Sequence, residues 1–337
     1  MSFPSAPFEQ ERDRARGALY GLAIGDALGM PTQMLSRRQI TQRWGPLLAG
    51  FEPAPPWHPI AAGMPAGAVT DDTEQAVLLG RLLLSGPVDP RELAAALVAW
   101  ERGMAARGSL DLLGPSTKRA LQAVQDGTPP AAAGRYGDTN GAAMRITPVG
   151  IATAGGSGSA LVDRVQQASL VTHNTSIALA GAAAVAAALS AGIDGADVAT
   201  ATTAGIAAAR LGAQRGHWTA GADVAARIDW AVNLVADARP PRAAEVIYTL
   251  VGTSLATQES VPAAFAVLSA VPSDPWQACL LAASLGGDCD TIAAMAGAIG
   301  GACHGLAAFP PDAIETMDGN GLELAELADS LYQLRKS

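Results

Sequence analysis

The chain has 337 residues, 49% of them apolar but only 4% aromatic, and a formal charge of −9 from 22 Lys+Arg against 31 Asp+Glu. No cluster of Lys and Arg runs along it, which excludes the usual electrostatic footprint of a nucleic-acid binder. Three cysteines, Cys279, Cys289 and Cys303, lack any CxxC pairing, which argues against a disulfide or zinc framework and fits the reduced thiols of a cytoplasmic protein.

With so few rings, the interior must be filled by Ala, Leu, Val and Ile, which predicts many closely packed helices. The opening stretch MSFPSAPFEQERDRARG has no apolar run behind its charges and does not read as a signal peptide. Helical spacing of apolar residues then recurs over Glu74–Leu84, Pro90–Arg107, Ser159–Val171, Asp223–Ala236, Pro275–Leu285 and Gly321–Leu334. Ile177–Leu189 and Ile292–Cys303 are apolar throughout but too short to cross a bilayer, so both read as buried helices and no membrane is expected. Punctuation falls at Glu52–Pro59, Asp126–Gly141, Ala154–Ser159 and Ala238–Arg242; Ala-rich helical composition continues on both sides of each, so these read as loops, not linkers. No run of alternating β-branched residues appears. The prediction is an all-α fold, a compact multi-helix bundle of about a dozen helices, in a single domain over residues 1–337.

Two glycine series need a physical reason. Gly17, Gly21, Gly25 and Gly29 recur at steps of four, as do Gly297, Gly301 and Gly305, so each set lies on one stripe of a helix. A glycine inside a helix costs about 0.8–1 kcal/mol relative to alanine, roughly 3 kcal/mol or more for the first series. Close helix approach offsets such a cost. It also suggests that these helices meet in order to bring together the acidic residues they carry.

Those residues form two similar clusters, Thr70-Asp71-Asp72-Thr73 and Asp288-Cys289-Asp290-Thr291, each at the start of a long apolar helix. Helix capping explains one carboxylate per cluster, and Asp71 with Glu74 has the spacing of a capping box. It does not explain the second, because a buried unpaired charge costs several kcal/mol. If the clusters meet, four carboxylates repel unless cations lie between them, and oxygen ligands of this kind suit Mg²⁺, Mn²⁺ or Ca²⁺ better than zinc.

Four ordered stretches carry a resemblance: Gly21-Leu22-Ala23-Ile24-Gly25-Asp26-Ala27-Leu28-Gly29, Thr70-Asp71-Asp72-Thr73, Thr139-Asn140-Gly141-Ala142-Ala143-Met144-Arg145-Ile146-Thr147-Pro148, and Gly286-Gly287-Asp288-Cys289-Asp290-Thr291 continuing to Gly305, with Thr172-His173-Asn174 a weaker fifth. In order and spacing, over about residues 15–306, the chain resembles the ADP-ribosylglycohydrolase family of the dinitrogenase-reductase-activating type. The resemblance implies an all-helical domain with two divalent cations, Mg²⁺ or Mn²⁺, held by Thr70, Asp71, Asp72, Asp288, Asp290 and Thr291. It implies hydrolysis of an N-glycosidic bond to a ribose in an ADP-ribosyl or smaller ribosyl substrate, with a modified protein as acceptor. Asp72 and Asp290 are the candidates for combining ligation with catalysis. Asn140, Gly141, Arg145, His173 and Gln33 are candidate substrate contacts; Arg145 has the alternative role of locking an Asp near the metals, and His173 that of a cap or a satisfied core group. Asp26 reads as a partner of the ligands, and Cys289 as packing.

One departure matters. Where the family commonly has Pro followed two residues later by Glu, this chain has Pro31, Thr32 and Gln33. Glutamine accepts hydrogen bonds but takes no proton at neutral pH, so either the base lies elsewhere or the substrate differs. An ADP-ribosyl hydrolase, a hydrolase of a smaller ribosyl compound such as a nucleoside, and a non-catalytic ADP-ribose binder are the three readings; the full ligand set argues against the last. The segments around Trp57-His58 and over Asp126–Gly141 are candidate lids.

Overall fold

The computed structural model describes residues 7–109, 113–155 and 158–337. Residues 1–6 of the opening stretch and residues 156–157 of the Ala154–Ser159 loop lie outside the described residues. Among the described residues there are eighteen α-helices and no strand; the β-type pairings are two isolated bridges, Thr139 with Ala256 and Thr175 with His217. The long elements lie where apolar periodicity places them: Asp71–Leu84, Pro90–Ala106, Ser159–Ser169, Val224–Val235, Pro275–Ala283 and Leu324–Lys336. The number exceeds a dozen because short helices occupy stretches read as motif or punctuation, such as Pro130–Ala133 and Gly141–Met144. The Ala238–Arg242 stretch is a correction of the same kind. Arg239 is an N-cap and Pro240 opens the helix Pro240–Val246, where a missing N–H removes no hydrogen bond.

The apolar stretch beginning at Ile177 is longer than its sequence suggests. It forms Ser176–Ile193, opened by the Thr175 side chain accepting from the backbone N of Ala178. This helix is long and apolar enough to cross a membrane, yet 94% of it is buried inside the protein. Its partners are other helices, and a continuous apolar cluster runs from Ala15 to Tyr332 around it.

Both glycine stripes face each other. The helices Pro7–Gly29 and Cys289–His304 pack antiparallel: a Cβ built on Gly21 would stand 2.1 Å from the Gly297 carbonyl oxygen, one on Gly25 2.1 Å from that of Ala293, and one on Gly29 2.2 Å from Asp290 Cα. From the other side, a Cβ on Gly297 would meet the Gly21 oxygen at 2.0 Å. No other residue fits at such separations, so backbone lies directly on backbone. At its far end this clasp brings the C-terminus of the first helix, with Asp26, to the N-terminus of the second, with Asp288 and Asp290. The helices meet and they carry the acidic residues together.

The C-terminal helix is fastened to the first helix by one carboxylate. Asp329 Oδ1 accepts from Arg12 Nε and Arg16 Nε, both at 2.8 Å, and Oδ2 accepts from Arg16 Nη2 at 2.6 Å. The hydrogen bonds from Arg12 and then Arg16, working against partial burial, hold its carboxyl well below the ordinary carboxylate range. A depressed carboxyl stabilises the fold fully above its unfolded value near 4, and that contribution fades as pH falls through the lower folded value. Asp329→Asn is therefore expected to lower the melting temperature at pH 7 and to lower it by much less near pH 2, as read by thermal unfolding at both pH values.

Candidate active site

The helix Asp71–Leu84 begins at Thr70, whose side chain makes no cap of its own. Asp26, fully buried on the first helix, caps it instead, accepting from the backbone N of Thr70 at 2.9 Å and of Thr73 at 3.2 Å and from both threonine hydroxyls. Capping across helices leaves Asp71 and Asp72 for another task. The capping-box alternative does not hold: Thr70 is the N-cap, and the Glu74 carboxylate accepts from Trp100 Nε1 and lies 3.7 Å from Arg107. At the second cluster Asp288 occupies the N-cap position without a side-chain cap hydrogen bond, and its Oδ2 accepts from Asn140 Nδ2. Two glycines shape the preceding turn; Gly286 and Gly287 have φ of +90° and +71°, and a Cβ on Gly287 would stand 2.3 Å from the Thr253 oxygen.

These turns bring the carboxylates together. Asp72, Asp288 and Asp290 are buried and Asp71 is half-buried. Burial first, and then the charges of Asp71, Asp290, Asp26 and Asp288, push the Asp72 carboxyl well above its ordinary range. Burial likewise lifts Asp288 to about 6, against the downward pull of the Asn140 hydrogen bond. Asp72 Oδ2 accepts from the Thr291 hydroxyl at 3.1 Å, while its Oδ1 is buried and has no hydrogen-bond partner among the described residues. Among those residues no group of three His, Cys, Asp or Glu side chains is drawn round one point as an ion would draw it. The donors on offer are oxygens only, from four carboxylates and the hydroxyls of Thr70 and Thr291.

A cavity of about 150 Å³ opens onto the cluster. Asp71, Asp288, Asp290 and Thr291 line it together with Thr139, Asn140 and Gly141, and the lining also includes Gln33, Met34, Ile60, Thr117 and Leu255. Seven of the predicted site residues thus line one cavity, and Asp72 joins them through Thr291. A larger cavity of about 690 Å³, between the helices Pro90–Ala106 and Pro115–Gln125, contains none of the predicted residues, so size alone does not find the site.

Arg145 and His173 do not line the cavity. Arg145, 1% exposed, donates from Nη1 to Gln75 Oε1 at 3.1 Å and from Nη2 to the Thr172 hydroxyl, and Gln75 Nε2 donates to Asp71 Oδ2 at 2.8 Å. The guanidinium thus steadies Asp71 through one glutamine, which is the locking role with an intermediary. Burial lowers its pKa to about 10, opposed by the charge of Asp71. His173 is fully buried, with Nε2 3.0 Å from the Thr139 hydroxyl and Nδ1 2.8 Å from that of Thr172. Burial, then the charge of Arg145, holds it well below its usual pKa, so the ring is neutral. It lies ahead of the helix Ser176–Ile193, which Thr175 caps, and a Cβ on Gly141 would stand 2.8 Å from its ring. Asn140 lines the cavity and also holds it in shape, donating to Ser260 Oγ at 3.0 Å and to Asp288, with its backbone N bonded to the Leu255 oxygen.

The Trp57-His58 segment reaches the site: His58 Nε2 bonds the Gln33 carbonyl oxygen at 2.8 Å, Nδ1 accepts from the Ala61 N at 2.9 Å, and Ile60 contributes to the cavity wall. The 126–141 segment contributes Thr139, Asn140 and Gly141. Neither candidate lid is packed away from the carboxylates. Cys289 is fully buried, 3.3 Å from the Thr32 hydroxyl, and burial pushes its thiol up to about 12, as befits packing and not a nucleophile. The residues that sequence reading missed are Gln75, Ser260 and Leu255. Only Gln75 carried a local signal, its i+4 spacing from Asp71.

A family model described as ADP-ribosylglycohydrolase matches residues 8–337. The chain is 37% identical over 328 residues to "Uncharacterized protein YegU" of Escherichia coli (strain K12), covering 96% of this chain and 98% of that one. It is 27% identical over 343 residues to the ADP-ribosylarginine hydrolase Tri1 of Pseudomonas putida (strain GB-1), covering 96% and 79%. A solved structure named "ADP-ribosylglycohydrolase-related protein complex" superposes with a TM-score of 0.70 at 25% identity, covering 97% of this chain and 99% of that one.

Proposed function

Because this chain belongs to the ADP-ribosylglycohydrolase family, we propose that it is a hydrolase releasing ADP-ribose from a modified acceptor by cleaving the N-glycosidic bond, with two divalent cations, Mg²⁺ or Mn²⁺, at the acidic centre. The observation that carries this reading is four mutually repelling carboxylates, three of them buried, beside a small cavity, with one oxygen of Asp72 left without a protein partner. Hard oxygen donors fit such cations, and Thr70, Asp71, Asp72, Asp288, Asp290 and Thr291 would hold them. Bound there, the cations would supply affinity for ribose hydroxyls and lower the pKa of a nearby water.

The chain's own residues do the rest. Cleavage passes through an oxocarbenium-like state, which a carboxylate beside the sugar stabilises. Asp290 lines the cavity and is the group to meet that charge and to take the proton of the attacking water. Asp72 is absent from the cavity wall and bonded to Thr291, so holding a cation suits it better than direct contact with water. Asn140 fixes Asp288, and Arg145 with Gln75 fixes Asp71, which spares the reaction the reorganisation of charged groups. The Ile60, Met34 and Leu255 side chains supply an apolar edge against water.

Cavity size favours a second reading as well. A volume of about 150 Å³ falls below the roughly 300–1,000 Å³ of pockets that enclose drug-sized ligands, so an ADP-ribosyl ligand must extend beyond it whereas a ribonucleoside need extend much less. Protein stripped with a chelator is to be given Mg²⁺ or Mn²⁺ and offered ADP-ribosyl-arginine, ADP-ribosyl-serine or ribonucleosides. The expected result is a cation-dependent rise of several degrees in melting temperature and release of ADP-ribose from the first. Release of ribose from nucleosides alone transfers the proposal to the smaller substrate. Tight binding of ADP-ribose without turnover of any compound makes the protein a binder.

A further inference from the structure

Gln33 is 4% exposed, lines the cavity, and its Nε2 has no hydrogen-bond partner among the described residues. A buried amide nitrogen left unpaired costs about 1–3 kcal/mol, so its retention calls for an acceptor that arrives from outside the protein. The backbone around it is fixed on every side. Its own N–H donates to the Gly29 oxygen at 2.9 Å, its carbonyl oxygen is bonded by His58 Nε2 at 2.8 Å, and the next two residues zip onto the acidic turn, Met34 N to the Gly287 oxygen at 2.7 Å and Gly287 N to the Leu35 oxygen at 2.9 Å. Met34 holds a left-handed φ of 60° to allow this, a conformation that costs a non-glycine residue energy and tends to persist where a site requires it. Gln33 is thereby held in register with Asp288, one residue beyond Gly287.

The partner's chemistry follows from the rest of the lining. Asp71, Asp288 and Asp290 share this cavity with Gln33 and make it rich in carboxylate oxygens, so a neutral oxygen is a better partner for the amide there than a phosphate. A polyhydroxylated ring presents such oxygens in several directions at once. We propose that Gln33 selects and orients the sugar, its side-chain amide donating to a hydroxyl oxygen of the ribosyl unit. This rests on the ribosyl-hydrolase reading and adds a specificity-determining residue to it. An uncharged donor at this position also avoids a fifth carboxylate at the acidic cluster.

Binding, not turnover, tests it. Adenosine, 2′-deoxyadenosine and 3′-deoxyadenosine, with ADP-ribose beside them, are titrated calorimetrically into the Mg²⁺-loaded protein and into Gln33→Met and Gln33→Ala, melting curves confirming that the variants fold. The first substitution keeps the volume and removes the donor. The expected result is about tenfold weaker binding of adenosine and ADP-ribose by both variants, and a loss that is not additive with removal of one of the two hydroxyls, because donor and acceptor then belong to one bond. A merely structural role for Gln33 would give additive losses. Unchanged affinity in both variants, or strict additivity with both deoxy ligands, overturns the proposal and leaves the hydrolase reading standing. Failure of the parent protein to bind any ribosyl compound overturns both.

Discussion

Gly25→Ala is expected to destabilise the protein by at least about 3 kcal/mol, the upper end of what overpacking ordinarily costs. A Cβ there would stand 2.1 Å from the Ala293 carbonyl oxygen and 2.4 Å from its carbon. Both are backbone atoms, so no side-chain rotation relieves the clash, and the two helices must separate along their whole interface. The intrinsic helix preference of alanine, worth about 1 kcal/mol, acts in the opposite direction and is overwhelmed. Separation would also carry Asp26 away from Asp290, so the residual folded protein should bind divalent cations more weakly. Urea unfolding beside Gly50→Ala, where the added Cβ meets nothing within 4 Å, isolates the packing effect from a general response to alanine. Equal stability of the two variants would mean that the clasp does not hold the fold together.

Asp72→Asn should separate stability from activity. In the cation-free protein the Asp72 carboxylate is buried and opposed by Asp71, Asp290, Asp26 and Asp288, and an amide of the same shape removes that opposition while its oxygen still accepts from Thr291. The chelator-treated variant is expected to be more stable than its parent near pH 8, since a carboxyl whose folded pKa is raised weighs against the fold at pH values above its unfolded one. Cation-dependent stabilisation should disappear, and turnover should drop by about a thousandfold, the scale of losing one preorganised charged group from such a centre. Melting curves with and without Mg²⁺, together with initial rates, decide the matter. A variant that loses stability in the chelator and keeps its cation response would show that Asp72 supports the fold and holds no cation.

What could be read from the sequence depended on the range of the interaction. The glycine stripes were legible because a step of four has a single meaning on a helix, and their mutual contact followed from their equal spacing. The acidic clusters were legible because a second carboxylate exceeds what a cap requires. The capping of Thr70 and Thr73 by Asp26 was less so: it joins residues 44 and 47 positions apart, and local propensity places a cap beside its helix. Gln75 between Arg145 and Asp71 was missed because a glutamine in a helix reads as a surface residue. Ser260, 120 positions from Asn140, left no local trace. His173 drew a substrate role from its motif, but its two hydroxyl partners and its position under Gly141 are properties of the folded turn alone.

The antiparallel clasp has a consequence for how this chain tolerates change in length. One residue inserted between Gly17 and Asp26, or between Asp290 and Gly301, would turn everything beyond it by about 100° and advance it by about 1.5 Å. The glycines would leave their stripe and the acidic residues would rotate off the shared face. Insertions in the 126–138 segment leave that alignment untouched. The two helices therefore act as the scale against which the acidic centre is measured, and their lengths are far less free to vary than those of the segments around the cavity mouth.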